Sequence, residues 1–214
     1  MSTSNRCWLC GGGASQILEV TKPIYYHCPT CDLIFIDRNF LISAEDEKAR
    51  YQLHNNTMEN EGYVKFLSRF IDNALQPLNI NFQTGLDFGC GPAPVLSSLL
   101  SQRGIDMDWY DPFFYPDKNF VNKKYDLITA TEVLEHLQQP KTVMDLLTYH
   151  LNPQGILAVM TQFHSQHNFK NWWYRQDNTH ICFYSAKTFN WMAKHYHLKI
   201  LLLDNKSICV MQSE

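Results

Sequence analysis

The sequence predicts an α/β protein, a largely parallel sheet covered by helices on both faces, with a small zinc ribbon ahead of it. Three observations predict it. From Thr84 onward, short apolar runs alternate with segments of helical period, the pattern that builds a parallel sheet under crossover helices. Residues 86–95, LDFGCGPAPV, run from a strand into a glycine turn and then to prolines that let a helix begin. Four cysteines near the start form two C-x2-C pairs separated by seventeen residues.

A chain of 214 residues with 45% hydrophobic content is long enough for one α/β domain of ordinary size plus a small appendage. No apolar run approaches the ~18 residues of a membrane span. The opening MSTSNRCWLC has no apolar stretch behind a basic one, so the reading is a cytoplasmic protein with reduced thiols. A formal charge of −3 offers no general pull on phosphate backbones, and residues 1–40 carry only Arg6, Lys22 and Arg38 as basic groups. Nucleic acid is disfavoured as a partner and a small molecule is favoured.

Residues 1–40 read as the ribbon. Cys7, Cys10, Cys28 and Cys31 can close a tetrahedron of thiolates with no position open, the donor set of structural zinc. The alternative, disulfides or stray thiols, is disfavoured in a reducing compartment. Residues 17–20 and 25–27 read as a hairpin between the knuckles, and residues 33–36 as a closing strand. Cys90, Cys182 and Cys209 stand alone and read as packing thiols. Residues 41–80 read as a helical linker and lid: a charged helix at 44–54, the polar break NNTMENEG, and an amphipathic helix at 63–75 stopped by Pro77.

Residues 81–214 hold the sheet. Strands are predicted at 85–88, 106–110, 126–129 and 155–160, with helices at 93–103, 140–150 and 186–195. Strands at 197–203 and 207–211, with little between them, predict a closing antiparallel hairpin.

The glycine register is Gly89, Gly91 and then Pro94, so a dinucleotide fingerprint loses its third point. Asp87 at the strand end suits an ammonium or a bound water better than a phosphate. Asp111, twenty residues after Gly91 and at the end of the next strand, can accept both hydroxyls of an adenosine ribose. A nucleoside carrying an amino acid and no phosphate satisfies both.

These residues resemble the class I S-adenosylmethionine-dependent methyltransferases. Asp87-Phe88-Gly89-Cys90-Gly91 matches their glycine motif, Asp111 their ribose acid, and the stretch from Tyr125-Asp126-Leu127-Ile128 through Glu132-Val133-Leu134-Glu135-His136-Leu137 their signature after the fourth strand. Residues 151–157, LNPQGIL, look like the family's "LKPGG" turn, and Ala93 departs where many members carry a third glycine. The resemblance covers about residues 62–212. It implies a Rossmann-like seven-stranded sheet with helices on both faces and an antiparallel last strand. It further implies S-adenosylmethionine as cofactor, held by Asp87, Gly89, Cys90, Gly91, Asp111, Pro112, Thr131, Glu132, Val133 and Tyr63.

Methyl transfer is an in-line displacement that needs alignment and, for some acceptors, a base. Histidine is the natural base near neutral pH, and His164, His167 and His180 follow the fifth strand. Residues 177–184, DNTHICFY, look like the "DPTHxxFF" signature of a bacterial subgroup, with Asn178 in place of its proline. That resemblance puts the segment over the strand ends, with His180 as base or substrate-orienting residue and Tyr184, Trp173 and Arg175 shaping the pocket; with His164 from the run of histidines, the catalytic candidates are His180, Tyr184 and His164. The rival reading has His180 tying a loop to a carboxylate such as Asp177, and His136 reads as a capping and packing residue. Tyr51, His54 and Tyr63 are candidates for a lid over the cofactor.

The expected activity is methyl transfer to a small molecule. Its rivals are an RNA or protein methyltransferase whose ribbon holds the substrate, and a non-catalytic module that binds S-adenosylmethionine. The intact Asp87, Gly89, Gly91 and Asp111 argue against the last.

Overall fold

The computed structural model describes residues 5–53 and 55–214, the side chains of 166–168 excepted. The ribbon begins with four short antiparallel strands: β1 (Asn5–Arg6), β2 (Gly13–Gln16), β3 (Tyr25–His27) and β4 (Ile34–Ile36). The first hairpin strand lies earlier than the sequence suggests, pairing Ser15 with His27 and Gln16 with Tyr26. Ile17 donates one more bond to Tyr25, and the chain then turns through Pro23, which has no N–H to continue a ladder. Residues 17–20 therefore carry no strand of their own.

Two helices follow. In α1 (Ala44–Gln52) Ser43 caps the Asp46 amide and the first turn is acidic, both favourable at a helix N-terminus. Asn60 caps α2 (Glu61–Phe70), which continues through one wider turn, Ile71–Leu75, before Pro77 enters a tight turn at Gln76–Leu78. Leu67, Phe70, Ile71 and Ala74 bury the apolar stripe of this helix.

The main sheet comprises β5 (Thr84–Phe88), β6 (Asp106–Tyr110), β7 (Tyr125–Thr131) and β8 (Leu151–Met160) in parallel, then β10 (Leu198–Leu203) and β11 (Ile208–Ser213), with the short β9 (Cys182–Phe183) between them in sequence. Its order is β10-β11-β8-β7-β5-β6, with β11 antiparallel to both neighbours, as the closing hairpin predicts. This is the expected Rossmann-like mixed sheet, with six strands rather than seven. Only residues 111–124 join β6 to β7, too few for a further strand and its crossover helix, and so β6 is the edge.

Residues alternate between the faces. Leu86, Ile128 and Leu157 pack under α4 (Pro140–Tyr149) and α5 (Ala186–His195), while Leu127, Ile156 and Ala158 pack under α2 and α3 (Val95–Ser101). The first of these cores also contains Cys7, Leu9, Cys28, Leu33 and Phe35, so the ribbon shares a hydrophobic core with the sheet. β4 pairs with β9, which makes a segment from the far end of the sequence the fifth strand of the ribbon sheet. A polar contact reinforces the seam: Ser185 Oγ donates to Asp32 Oδ2 at 2.6 Å, and within the ribbon His27 Nε2 lies 2.8 Å from Asp32 Oδ1. Among the described residues no helix is long and apolar enough to cross a membrane.

Candidate functional site

A cleft of about 550 Å³ opens beyond the carboxyl ends of β5, β6 and β7, where ligands sit in open α/β sheets. Gly89 leaves β5 with φ +80°, and a Cβ there would stand 2.4 Å from Val133 Cγ2, so both backbone twist and space demand glycine. Gly91, at φ +69°, has nothing within 4 Å of its missing Cβ, which points into open space. The amides of Gly89 and Cys90 donate to the Tyr110 carbonyl at 2.7 and 3.1 Å, strapping the glycine turn to β6.

Asp111, at the end of β6, holds this corner together. Its Oδ2 accepts from the Gly91 amide at 3.0 Å, and its Oδ1 from the amides of Phe113 and Phe114 at 2.9 and 3.1 Å. Three of the roughly four lone-pair sites of the carboxylate are thus in use. One ribose hydroxyl can join at Oδ2; a second needs the loop after β6 to shift. Asp87 lies beneath the turn and does not line the cleft: it is buried, accepting from Thr129 Oγ1 at 2.9 Å and Ser97 Oγ at 3.4 Å. Burial pushes its carboxyl up to about 6, although the two hydroxyls act the other way.

The opposite wall follows β7. Thr131, Glu132 and Val133 line the cleft, and Glu132 adopts φ +53°, a strained conformation for a residue with a Cβ. The Glu132 amide donates to Met160 at 2.7 Å, which locks that turn to β8. Glu135 is fully buried behind it, and the Tyr174 hydroxyl sits between the two acids, donating to Glu135 Oε1 and lying 3.2 Å from Glu132 Oε2. Burial and the neighbouring Glu135 raise the Glu132 carboxyl to about 8, and burial raises Glu135 as well.

His136 and His180 complete this wall, with ring centres 4.8 Å apart. Each Nδ1 meets a backbone carbonyl, His136 at Thr179 (2.9 Å) and His180 at Tyr174 (2.7 Å). Carbonyls only accept, so each Nδ1 carries the proton and in the neutral rings the lone pair is on Nε2. Burial, then the neighbouring His136, lowers the His180 pKa, which favours the neutral ring.

Of the predicted site residues, Tyr63, Gly89, Cys90, Gly91, Asp111 and Pro112 meet in this cleft with Thr131, Glu132, Val133 and His180. Tyr51 and Trp173 also line it. Two of the catalytic candidates do not reach it. Tyr184 is fully buried and donates to the Leu134 carbonyl at 3.1 Å. His164 is buried at the ribbon seam, its Nε2 bonded to the Asp32 carbonyl at 2.8 Å. Arg175 turns away too, bonding the carbonyls of Phe169 and Lys170 and lying over the Tyr25 ring. His54 and the side chain of His167 lie outside the described residues. Sequence reasoning assigned no role to Glu47, Tyr110 or Tyr174, all on the cleft wall; Glu47 sits in a charged helix with nothing to set it apart from Glu45 or Asp46.

The ribbon cysteines form a second cluster. Cys7 and Cys31 have sulfurs 3.5 Å apart, Cys10 and Cys28 3.4 Å, and all four lie within 4.8 Å of one another. A metal at about 2.3 Å from each sulfur needs separations of this order, and a disulfide at about 2.05 Å does not. The Gly12 amide points at Cys10 Sγ (3.4 Å), the kind of donor that steadies a thiolate.

Residues 57–203 match the profile of a family described as a methyltransferase domain. Over 89 residues, 42% of this chain, the sequence is 27% identical to a ubiquinone biosynthesis O-methyltransferase from Erwinia tasmaniensis, and the match spans 35% of that protein's length. The fold superposes on a protein of Pyrococcus horikoshii OT3 with a TM-score of 0.57 and 12% identity, covering 78% of this chain and 99% of the other. It superposes on a magnesium protoporphyrin IX methyltransferase from Synechocystis PCC 6803, solved with bound S-adenosylmethionine, with a TM-score of 0.51 and 12% identity, covering 83% and 95% of the two chains. At such identities the superpositions speak for the fold alone.

Proposed function

The chain belongs to the methyltransferase domain family, and we propose that it moves a methyl group from S-adenosylmethionine to a small-molecule acceptor in the same cleft. The observation that carries this reading is the open glycine turn at Gly91 bonded to Asp111, facing one continuous cleft that ends at His180. The residues fit the cofactor: space stands where a Cβ would be at Gly91, and an acid with one lone-pair site left closes the next strand.

S-adenosylmethionine, when bound, supplies a methyl already activated by positive sulfur. Gly89 and Gly91 let the backbone come close to the methionine portion, and Asp111 Oδ2 receives a ribose hydroxyl. Val133 and Tyr63 supply apolar wall, and Tyr51, from the end of α1, covers the mouth. His180 positions the acceptor and lowers the cost of removing its proton, since its neutral ring offers an Nε2 lone pair. Transfer then depends on alignment, the larger part of the barrier in a displacement of this kind.

A small acceptor is favoured by the lining. Glu47, Asp111, Glu132 and Asp177 border the cleft, and no Lys or Arg is among its described lining residues, a poor field for a polyphosphate backbone. The Erwinia relative, named for O-methylation, points the same way. We assign structural zinc to Cys7, Cys10, Cys28 and Cys31, a closed four-sulfur set that fixes the ribbon against the sheet. Incubation with methyl-labelled S-adenosylmethionine and parallel pools of small hydroxylated acceptors, RNA and protein tests the acceptor class. Label in the small-molecule pool is expected; label in RNA or protein alone would overturn it.

A further inference from the structure

We propose that Glu135, His136 and His180 form a divalent transition-metal site on the acceptor side of the cleft, separate from the ribbon cysteines. One ligand atom from each lies within 4.8 Å of the others, and His136 Nε2 is 3.9 Å from Glu135 Oε1. A metal at about 2.0–2.2 Å from each ligand needs donor separations of roughly 3–4 Å, so a small closure seats it. The inference rests on the methyltransferase reading of the cleft and says how that site activates its acceptor.

Two observations point to a cation. Both imidazoles bond a backbone carbonyl through Nδ1, the outer-shell arrangement that fixes a metal-binding histidine and aims its Nε2. Glu135 is fully buried and its Oε2 has no hydrogen-bond partner among the described residues, nor has Oε1 of the adjoining Glu132. The Tyr174 hydroxyl is shared between the two buried carboxyl groups, reaching Glu135 Oε1 and Glu132 Oε2, and leaves the other oxygen of each to a cation.

The support is rigid as well. The turn Leu134–His136 and the segment around β9 are laced together by the Ile181 amide to the Glu135 carbonyl (2.8 Å), Cys182 Sγ to the Leu137 carbonyl (3.2 Å) and Tyr184 hydroxyl to the Leu134 carbonyl (3.1 Å). Buried Tyr184 thus acts as a positioning residue for the triad. Ligands that approach pre-formed lose little entropy on binding metal.

Two imidazoles and one carboxylate suit zinc, iron, cobalt or manganese better than magnesium or calcium. Three protein ligands leave positions open, the mark of a catalytic rather than a closed structural site. The cleft lies on that open side, so the ligand class is a hydroxylated acceptor, a phenol or vicinal diol, coordinating through oxygen. With His180 Nε2 on the metal, the cation takes over the activating role from the free ring: it lowers the hydroxyl's pKa, the O–H bond breaks, the proton passes to solvent water, and the oxygen keeps the electron pair.

The test uses the full chain with its ribbon metal in place. Mn²⁺ binding is followed by loss of the free-ion electron paramagnetic resonance signal, with Co²⁺ and Zn²⁺ by calorimetry. One equivalent beyond the ribbon metal is expected, with nitrogen couplings to bound Mn²⁺ that report imidazole. His136→Gln and His180→Gln, on different segments, should each weaken it at least tenfold while S-adenosylmethionine still binds. A parent protein that binds S-adenosylmethionine but none of the three ions beyond the ribbon equivalent overturns the metal site and spares the methyltransferase reading. Unchanged Mn²⁺ affinity in both folded variants also overturns it. A parent that binds no S-adenosylmethionine sinks the methyltransferase reading instead.

Discussion

The His180 ring lies 4.1 Å from the Tyr174 ring, and its Nδ1 donates to the Tyr174 carbonyl at 2.7 Å. One tyrosine therefore fixes the tautomer of the cleft histidine through its backbone and bridges two buried acids through its hydroxyl. Tyr174→Phe keeps the ring contact and removes the bridge. Leaving buried carboxylate oxygens without that donor is expected to cost about 1–3 kcal/mol, read from urea unfolding. Stability equal to the parent's would show that the bridge is unimportant.

His180→Ala separates binding from turnover. S-adenosylmethionine affinity should stay within about twofold, while kcat on the acceptor falls by roughly 10²-fold or more, the range expected when a proton-handling group is lost. Equal losses in cofactor affinity and kcat would assign His180 to the fold rather than the chemistry.

The two cleft glycines make different demands. Gly89→Ala meets Val133 at 2.4 Å as well as a positive φ, whereas Gly91→Ala meets only the φ penalty and projects into open space. Gly91→Ala should cost about 1–2 kcal/mol of stability and weaken S-adenosylmethionine binding. Gly89→Ala should destabilise more than Gly91→Ala; the reverse order in thermal melts would contradict the geometry of the turn.

Asp87 gives a pH signature. Its folded carboxyl stands at about 6, above its ordinary 3.8, because it is buried. Between these values the folded state holds a proton that the unfolded chain has released. Its contribution is therefore fully present below about 3.8 and is lost as pH rises to about 6. The slope is about 1.4 kcal/mol per pH unit at most. Asp177 works in the opposite sense, held well below its usual range by its bonds to Thr179 and Arg50 despite partial burial. Asp87→Asn should remove the loss between pH 4 and 6 in denaturant titrations, and an unchanged pH dependence would count against a buried, proton-holding Asp87.

The ribbon and sheet should melt together. Leu9, Leu33 and Phe35 lie in the same core as Leu157 and Met192, and β4 pairs with β9. Stripping the four-cysteine metal should lower the melting temperature of the whole chain in one transition. Two separate transitions would contradict the shared core.

Much of the fold was legible because its signals are local. The turn at Gly89 and Gly91, the acid at Asp111 and the alternation of the strands each occupy a few consecutive residues, and the cysteine spacing carries its own chemistry. The pairing of Ile34 with Phe183 was not legible, since nothing near either residue announces a partner so far along the chain. For the same reason His164 stood beside His180 as a catalytic candidate. One faces Asp32 across the ribbon seam and the other the cleft, a distinction set by tertiary packing. The missing seventh strand was readable in principle: the fourteen residues 111–124 could not hold it, but the resemblance supplied a strand that the spacing denied.

The central claim is that this cleft holds S-adenosylmethionine. Titration calorimetry of the full chain with S-adenosylmethionine, S-adenosylhomocysteine and NAD, repeated on Asp111→Ala, tests it most directly. The two sulfur nucleosides are expected to bind and NAD is not, and Asp111→Ala is expected to weaken binding at least tenfold while remaining folded. No heat of binding from either sulfur nucleoside, or undiminished affinity in folded Asp111→Ala, would contradict it.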